Sequence, residues 1–359
     1  MELRRILFIL VVTIVVVSLV LGSVSLLSFF IPKANVWALQ VTQIGRLQQL
    51  GFDGSGVTIG IVDTGVDIDH HEFDASSFHA WNDSILGKPA YYDDSDHGTH
   101  VAGILVSKGS FQGLFSGVNM QGVAPGARII VVKTLSNSDC VYGGGNDSAI
   151  AAGIQFCIDH GVDIICLSLG KNPGLLALNE SSKTAQFCAQ AIDQGIFVVA
   201  PAGNDRQSDD GDVVFLSSLS DVIAVGAVGK SGSIAAFSSQ GHQYLDTQHP
   251  HKKPELVAPG VGLLSTRVND AYGEISGTSQ AAGYVAGIIA LLLEAYPWYK
   301  HGGAHNQQAA TIRLFKDIFA RTAKKIGSLA DESESYSHDD VYGYGLVQAF
   351  AAYEELAKL

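Results

Sequence analysis

The chain is 359 residues long, 47% hydrophobic and 16% charged, with 40 glycines. Such a composition excludes a disordered chain and can bury one large core or two smaller ones. A formal net charge of −13, without any Lys/Arg-rich block, excludes nucleic acid as a partner.

The first element is apolar. After Arg4 and Arg5 no charged residue occurs until Lys33. Residues 6–31 can cross a hydrocarbon core of roughly 30 Å as a helix. They also outrun the roughly 7–15 residues of a signal-peptide apolar core. The expectation is an uncleaved membrane anchor. The paired arginines would stay cytoplasmic and everything after the segment would lie outside. Secretion after signal cleavage is the alternative, and a buried core helix is disfavoured because nothing in the segment is amphipathic. Residues 1–35 are therefore read as anchor or signal with a short lead-in, and 36–359 as one domain.

An amphipathic piece around Ile44–Leu50 leads into that domain. Short apolar runs then recur: "GVTIGIV", "ARIIVVK", "VDIICLSL", "GIFVVAPAG" and "DVIAVGAV". Each is rich in β-branched residues, lacks alternation and is bounded by Gly or Asp, as strands buried on both faces of a parallel sheet are. Helix-like stretches lie between them, among them "HGTHVAGILVS", "DSAIAAGIQFCIDHG" and "KTAQFCAQAIDQG". The alternation predicts an α/β fold, a three-layer doubly wound, mostly parallel sheet flanked by helices. "LADESESYSHDDVYGYG" is the most polar stretch and is expected to be an exposed loop. The cysteines, Cys140, Cys157, Cys166 and Cys188, contain no CxxC pair, so zinc is not expected. Export would permit one or two disulfides. Cys166, inside "VDIICLSL", reads as a small buried hydrophobe.

In such sheets chemistry collects at the carboxyl ends of strands, and three segments stand out. "VTIGIVDTGVD" delivers Asp63 at a strand end; the plain alternative is an Asp capping a turn. A dinucleotide fingerprint does not fit, because the glycines of "GSGVTIG" precede the strand. "DDSDHGTHVAG" places His97 at a helix start, with His100 expected to pack or hydrogen-bond at the helix surface. A metal pair of His97 and His100 lacks a third ligand at an informative spacing. "GEISGTSQAAGYVAG" puts Ser279 where a helix opens, so that helix N-terminal N–H groups could face an oxyanion. Alone, Ser279 would read as an N-cap. Together, Asp63, His97 and Ser279 supply a carboxylate to orient, an imidazole to take a proton and a hydroxyl to attack. Their chain order matches a known template, the subtilisin arrangement of this triad.

From about Val36 onward the chain resembles the subtilisin-like serine endopeptidases (subtilases, peptidase family S8). "VDTGVD", "HGTHVAG" and "GTSQAAGYVAG" are similar to the family's aspartate, histidine and serine motifs. "GVAPGARI", "LSLG", "AVGAV", "AFSSQG", "KPELVAPG" and "YGYGLVQAFAA" are similar to other family segments, in the family's order. The resemblance implies hydrolysis of protein or peptide substrates through an acyl-enzyme, with no cofactor for the chemistry. It makes Asn204 the side-chain donor to the oxyanion. Ser168, Leu169 and Gly170 would line one edge of the substrate cleft, and Gly143, Gly144 and Gly145 the other, pairing with an extended peptide. A non-catalytic peptide-binding domain on the same scaffold is the rival reading.

Several residues depart from the family's pattern. Gln280 stands for the usual methionine after the nucleophile and would add polarity beside the oxyanion. Gly283 and Tyr284 replace a proline and a histidine. The span between Ile31 and Asp63 holds only a lead-in, so folding without an in-chain propeptide is expected. "VVFLSS" replaces the segment that floors the specificity pocket. Asp205, Asp209, Asp210 and Asp212 could favour a basic residue there, although such a run is more often a solvated loop. Structural calcium lacks clear ligands: "FQGLFSGVNMQ" is poor in carboxylates, and Glu72 alone is not a site.

Overall fold

A computed structural model of the chain describes residues 10, 12–14, 16–18, 33–110, 117–136, 146–169, 181–206, 212–241, 251–330, 332–334 and 336–359. Most of the apolar leader, Cys140, Gly143, Gly144, Gly145, Gly170, Asp209 and Asp210 lie outside the described residues.

The five apolar runs form strands. They are β1 (Thr58–Asp63), β3 (Arg128–Lys133), β4 (Ile164–Leu167), β5 (Phe197–Pro201) and β6 (Ile223–Val228). Two more, β2 (Phe78–Asp83) and β7 (Leu256–Pro259), complete the sheet at its edges. Among the described residues seven strands lie in the order β2-β3-β1-β4-β5-β6-β7, with every pairing parallel. A hairpin of β8 (Leu263–Arg267) and β9 (Ala271–Ile275) stands apart. β3 and β4 flank β1 on opposite sides, so the winding reverses there and opens a crevice at the carboxyl ends.

Among the described residues after the leader, the helices of six residues or more are α1 (Val36–Val41), α2 (Ile44–Gln49), α3 (His97–Val106), α4 (Asp147–Asp159), α5 (Lys183–Asp193), α6 (Thr278–Ala295), α7 (Ala309–Thr322) and α8 (Ala349–Leu356). α6 lies across β4 to β7 and against α3. It is apolar and long enough to pass for a membrane span, yet 89% of it is buried; it is the core helix. α4 packs on β1 and β3. A Cβ on Gly60 would meet Cys157 Sγ at 2.5 Å, so only glycine admits the helix that closely.

Cys157, Cys166 and Cys188 are buried free thiols, and desolvation pushes each pKa up to about 12. They act as small apolar side chains. The polar stretch near the C-terminus is exposed at Glu332, Ser333 and Glu334 but ends inside the core, where Tyr344 is fully buried. Its aromatic and glycine tail belongs to the packing, so it is only in part the exposed loop its composition predicts.

Candidate active site

β1 carries Asp63 to its carboxyl end, where the side chain is fully buried. Asp63 Oδ1 accepts from Thr64 N at 2.6 Å and lies 2.8 Å from His97 Nδ1. His97 opens α3, and its side chain keeps a quarter of its surface open to solvent. Burial of the ring disfavours its charged form. The charge and hydrogen bond of Asp63, with Asp93 adding to them, outweigh that burial, so the pKa lies above the ordinary 6.5.

Close backbone approach makes this pairing possible. Gly98 N donates to Thr64 Oγ1 at 2.9 Å, and a Cβ on Gly98 would fall 2.0 Å from Gly65 O. Gly65 itself has φ +106° and faces Tyr92 O, a conformation that L side chains rarely adopt. Behind the pair sits Asp93, which sequence reasoning missed. Its carboxylate accepts from Thr64 Oγ1, Ser95 N, Thr99 N and Thr99 Oγ1 at 2.6–2.9 Å. It thus ties the loop after β1 to the first turn of α3. The acidic run "DDSDHGT" was the available signal.

His100 is fully buried, not at the helix surface. Its Nε2 faces the carbonyls of Leu263 and Gly273 at 3.0 and 3.2 Å. Desolvation, and then the nearby His97, push its pKa down to about 4. It therefore stays neutral and joins α3 to the hairpin.

The N-cap of α6 is Gly277, so Ser279 is the second helical residue and not a cap. Its backbone N–H is one of the first-turn donors without an intrahelical acceptor. Ser279 Oγ lies 3.4 Å from Ser168 O, beyond a good O–H···O distance, so the hydroxyl is weakly held. Asn204, exposed in the loop after β5, turns its Oδ1 to Thr278, accepting from N and Oγ1 at 2.9 Å each. The Thr278 hydroxyl also accepts from Gly203 N at 3.2 Å. With the amide oxygen anchored, the Nδ2 hydrogens are left to point elsewhere. The anchoring of Asn204 by Thr278 is a second feature that sequence reasoning missed. Asp63, His97, Ser168, Leu169, Asn204 and Ser279 thus all follow strand ends or open helices at the carboxyl edge of the sheet.

For a metal, Glu72 is engaged already: its carboxylate accepts from Ser107, Ser110 and Tyr272 hydroxyls at 2.6–3.0 Å. His70, His71 and Asp270 come within reach of one ion. Their ring nitrogens, however, face Ala271 O, Glu72 N, Asp270 and the Tyr272 hydroxyl. Neither group is an open cage of hard oxygen ligands. Asp205 and Asp212 are buried, which separates them from the solvated loop their composition suggests.

The fold and this edge define an α/β protein with its candidate site at the carboxyl ends of a parallel sheet, and comparison with known proteins supplies the class. Residues 54–345 match the model of the subtilase family. Subtilisin DY of Bacillus licheniformis is 32% identical over 284 residues, which cover 79% of this chain and 93% of that protein. Subtilisin E of Bacillus subtilis (strain 168) is 33% identical over 274 residues, 76% of this chain and 65% of that protein. A thermostable alkaline protease of Halalkalibacterium halodurans is 30% identical over 319 residues, 89% and 73% of the two chains. The chain belongs to the subtilase family, and its enzyme class is that of the serine-type endopeptidases.

Proposed function

We propose that the chain hydrolyses peptide bonds through an acyl-enzyme on Ser279. The observation that carries this reading is the 2.8 Å contact between His97 Nδ1 and buried Asp63 Oδ1. It orients the imidazole and leaves Nε2 as the base. Ser279 Oγ attacks the scissile carbonyl carbon while His97 Nε2 takes its proton. The oxyanion accepts from Asn204 Nδ2 and the Ser279 N–H. Collapse expels the amine, which takes the proton from His97, and water then releases the acyl group by the reverse sequence. Ser168, Leu169 and Gly170 on one side, and Gly143, Gly144 and Gly145 on the other, would hold the extended substrate.

Residues 36–359 would form the peptidase domain and 1–35 the anchor with its lead-in. Leu10, Val12, Ile14, Val16 and Val17 lie in helical conformation with 43–57% of their surfaces exposed. That exposure of apolar side chains supports a lipid-facing segment, with the domain outside the cytoplasm.

The test is hydrolysis of a mixed library of extended peptides by the purified full chain and by Ser279→Ala. The variant is expected to lose at least about 10⁴-fold in kcat. Equal cleavage by both, or binding without cleavage by the parent chain, would overturn the reading.

A further inference from the structure

Gln280 follows Ser279 in the first turn of α6. Its side chain is fully buried, and neither Oε1 nor Nε2 has a hydrogen-bond partner. Among the described residues no other side-chain amide is buried with both polar atoms unpartnered. Such a group has given up water for nothing in return, a standing cost that an apolar residue of similar size would not carry.

Its position indicates what would relieve that cost. A Cβ built on Gly277 would lie 2.6 Å from Gln280 Oε1 and 3.7 Å from Asn204 Nδ2. The two amides therefore converge on the same stretch of backbone, immediately before the turn that bears Ser279. Asn204 has its oxygen tied to Thr278, so its amide has one orientation. Gln280 has no such tether, and a rotation of its amide exchanges Nε2 for Oε1 in that space.

We propose that Gln280 is a further catalytic residue. Its Nε2–H donates to the scissile carbonyl oxygen as that oxygen becomes negatively charged, beside Asn204 and the Ser279 N–H. The inference rests on the reading of Ser279 as nucleophile. No additional bond is made or broken by Gln280. As Oγ attacks, the carbonyl π pair moves onto oxygen and strengthens the hydrogen bond; collapse of the intermediate weakens it again. The proton stays on Nε2 throughout. With its amide rotated so that Nε2 replaces Oε1 beside Gly277, the buried, partnerless side chain supplies a donor with no competing acceptor within the chain.

The experiment compares Gln280→Met, Gln280→Leu and Gln280→Glu in the full chain, measuring kcat, KM and thermal melting. Met and Leu are expected to lower kcat by about 10²-fold with KM little changed. Their Tm should hold or rise, because the unpaired amide is gone. Glu, close in shape and negatively charged, should lower kcat further than Leu. Unchanged kcat in the Met and Leu variants overturns the proposal. So does a joint fall of kcat and Tm in both, which would mark Gln280 as packing alone. If the parent chain and its Gln280 variants cleave alike while Ser279→Ala does not, only this inference fails. An inactive parent chain overturns the proposed function along with it.

Discussion

His97 shows how one residue's environment sets the working range of the site. Burial alone would favour the neutral ring, but Asp63 and then Asp93 reverse the sign and lift the pKa above 6.5. As a base His97 must be neutral, so kcat/KM should rise with pH through a midpoint above 6.5. Stability runs the other way: the contribution from charged His97 is complete below its unfolded pKa and fades as pH passes the folded value. A pH profile of kcat/KM checks the first statement, and Asp93→Asn should move its acid limb downward. An acid limb at or below 6.5, indifferent to Asp93→Asn, would contradict this description of the pair.

At the scale of elements, α6 joins stability to function. It is the most buried long helix among those described, and it begins with Thr278, Ser279 and Gln280. Gly283 lies in its interior, where glycine is weaker than alanine by about 0.5–1 kcal/mol. A Cβ there would meet Ile104 Cγ2 and Val101 Cγ1 at 3.6 Å, an ordinary contact. Gly283→Ala should therefore stabilise the chain by about that amount in denaturant unfolding. A loss of stability would show that α3 and α6 pack more tightly than these distances indicate.

The elements differed in how readily they could be read. β1, β3, β4, β5 and β6 announced themselves because central parallel strands are apolar throughout. β2 did not: "FHAWND" lies at the sheet edge with four of its residues exposed or half-buried, so its composition resembles a loop. The β8–β9 hairpin was hidden for a related reason, since β9 is exposed or half-buried along its whole length. β7 spans only Leu256–Pro259 and is too short for a periodic signal.

Over the whole molecule, the carboxyl edge of the sheet was legible because residue type and strand position agreed. Asp63, His97 and Ser279 could be placed there from motif and neighbouring elements, and Asn204 only through the family resemblance. The supporting contacts were not legible. Asp93 holds two elements together across tertiary space, and Thr278 fixes Asn204 through a bond that no spacing encodes. The unpartnered amide of Gln280 is likewise visible only once its neighbours are in place. His100 fell to the same limitation, since its partners come from the hairpin more than 160 residues away.

The most direct measurement is covalent labelling of the full chain with a fluorophosphonate, followed by mass spectrometry of the modified peptide. Phosphonylation needs a serine oxygen activated by a base, so it tests Ser279 and His97 together. The expected result is one adduct, on Ser279, absent from Ser279→Ala and strongly slowed in Asp63→Asn. A folded chain that takes up no probe, or carries the adduct on another residue, would contradict the assignment of Ser279 as the nucleophile.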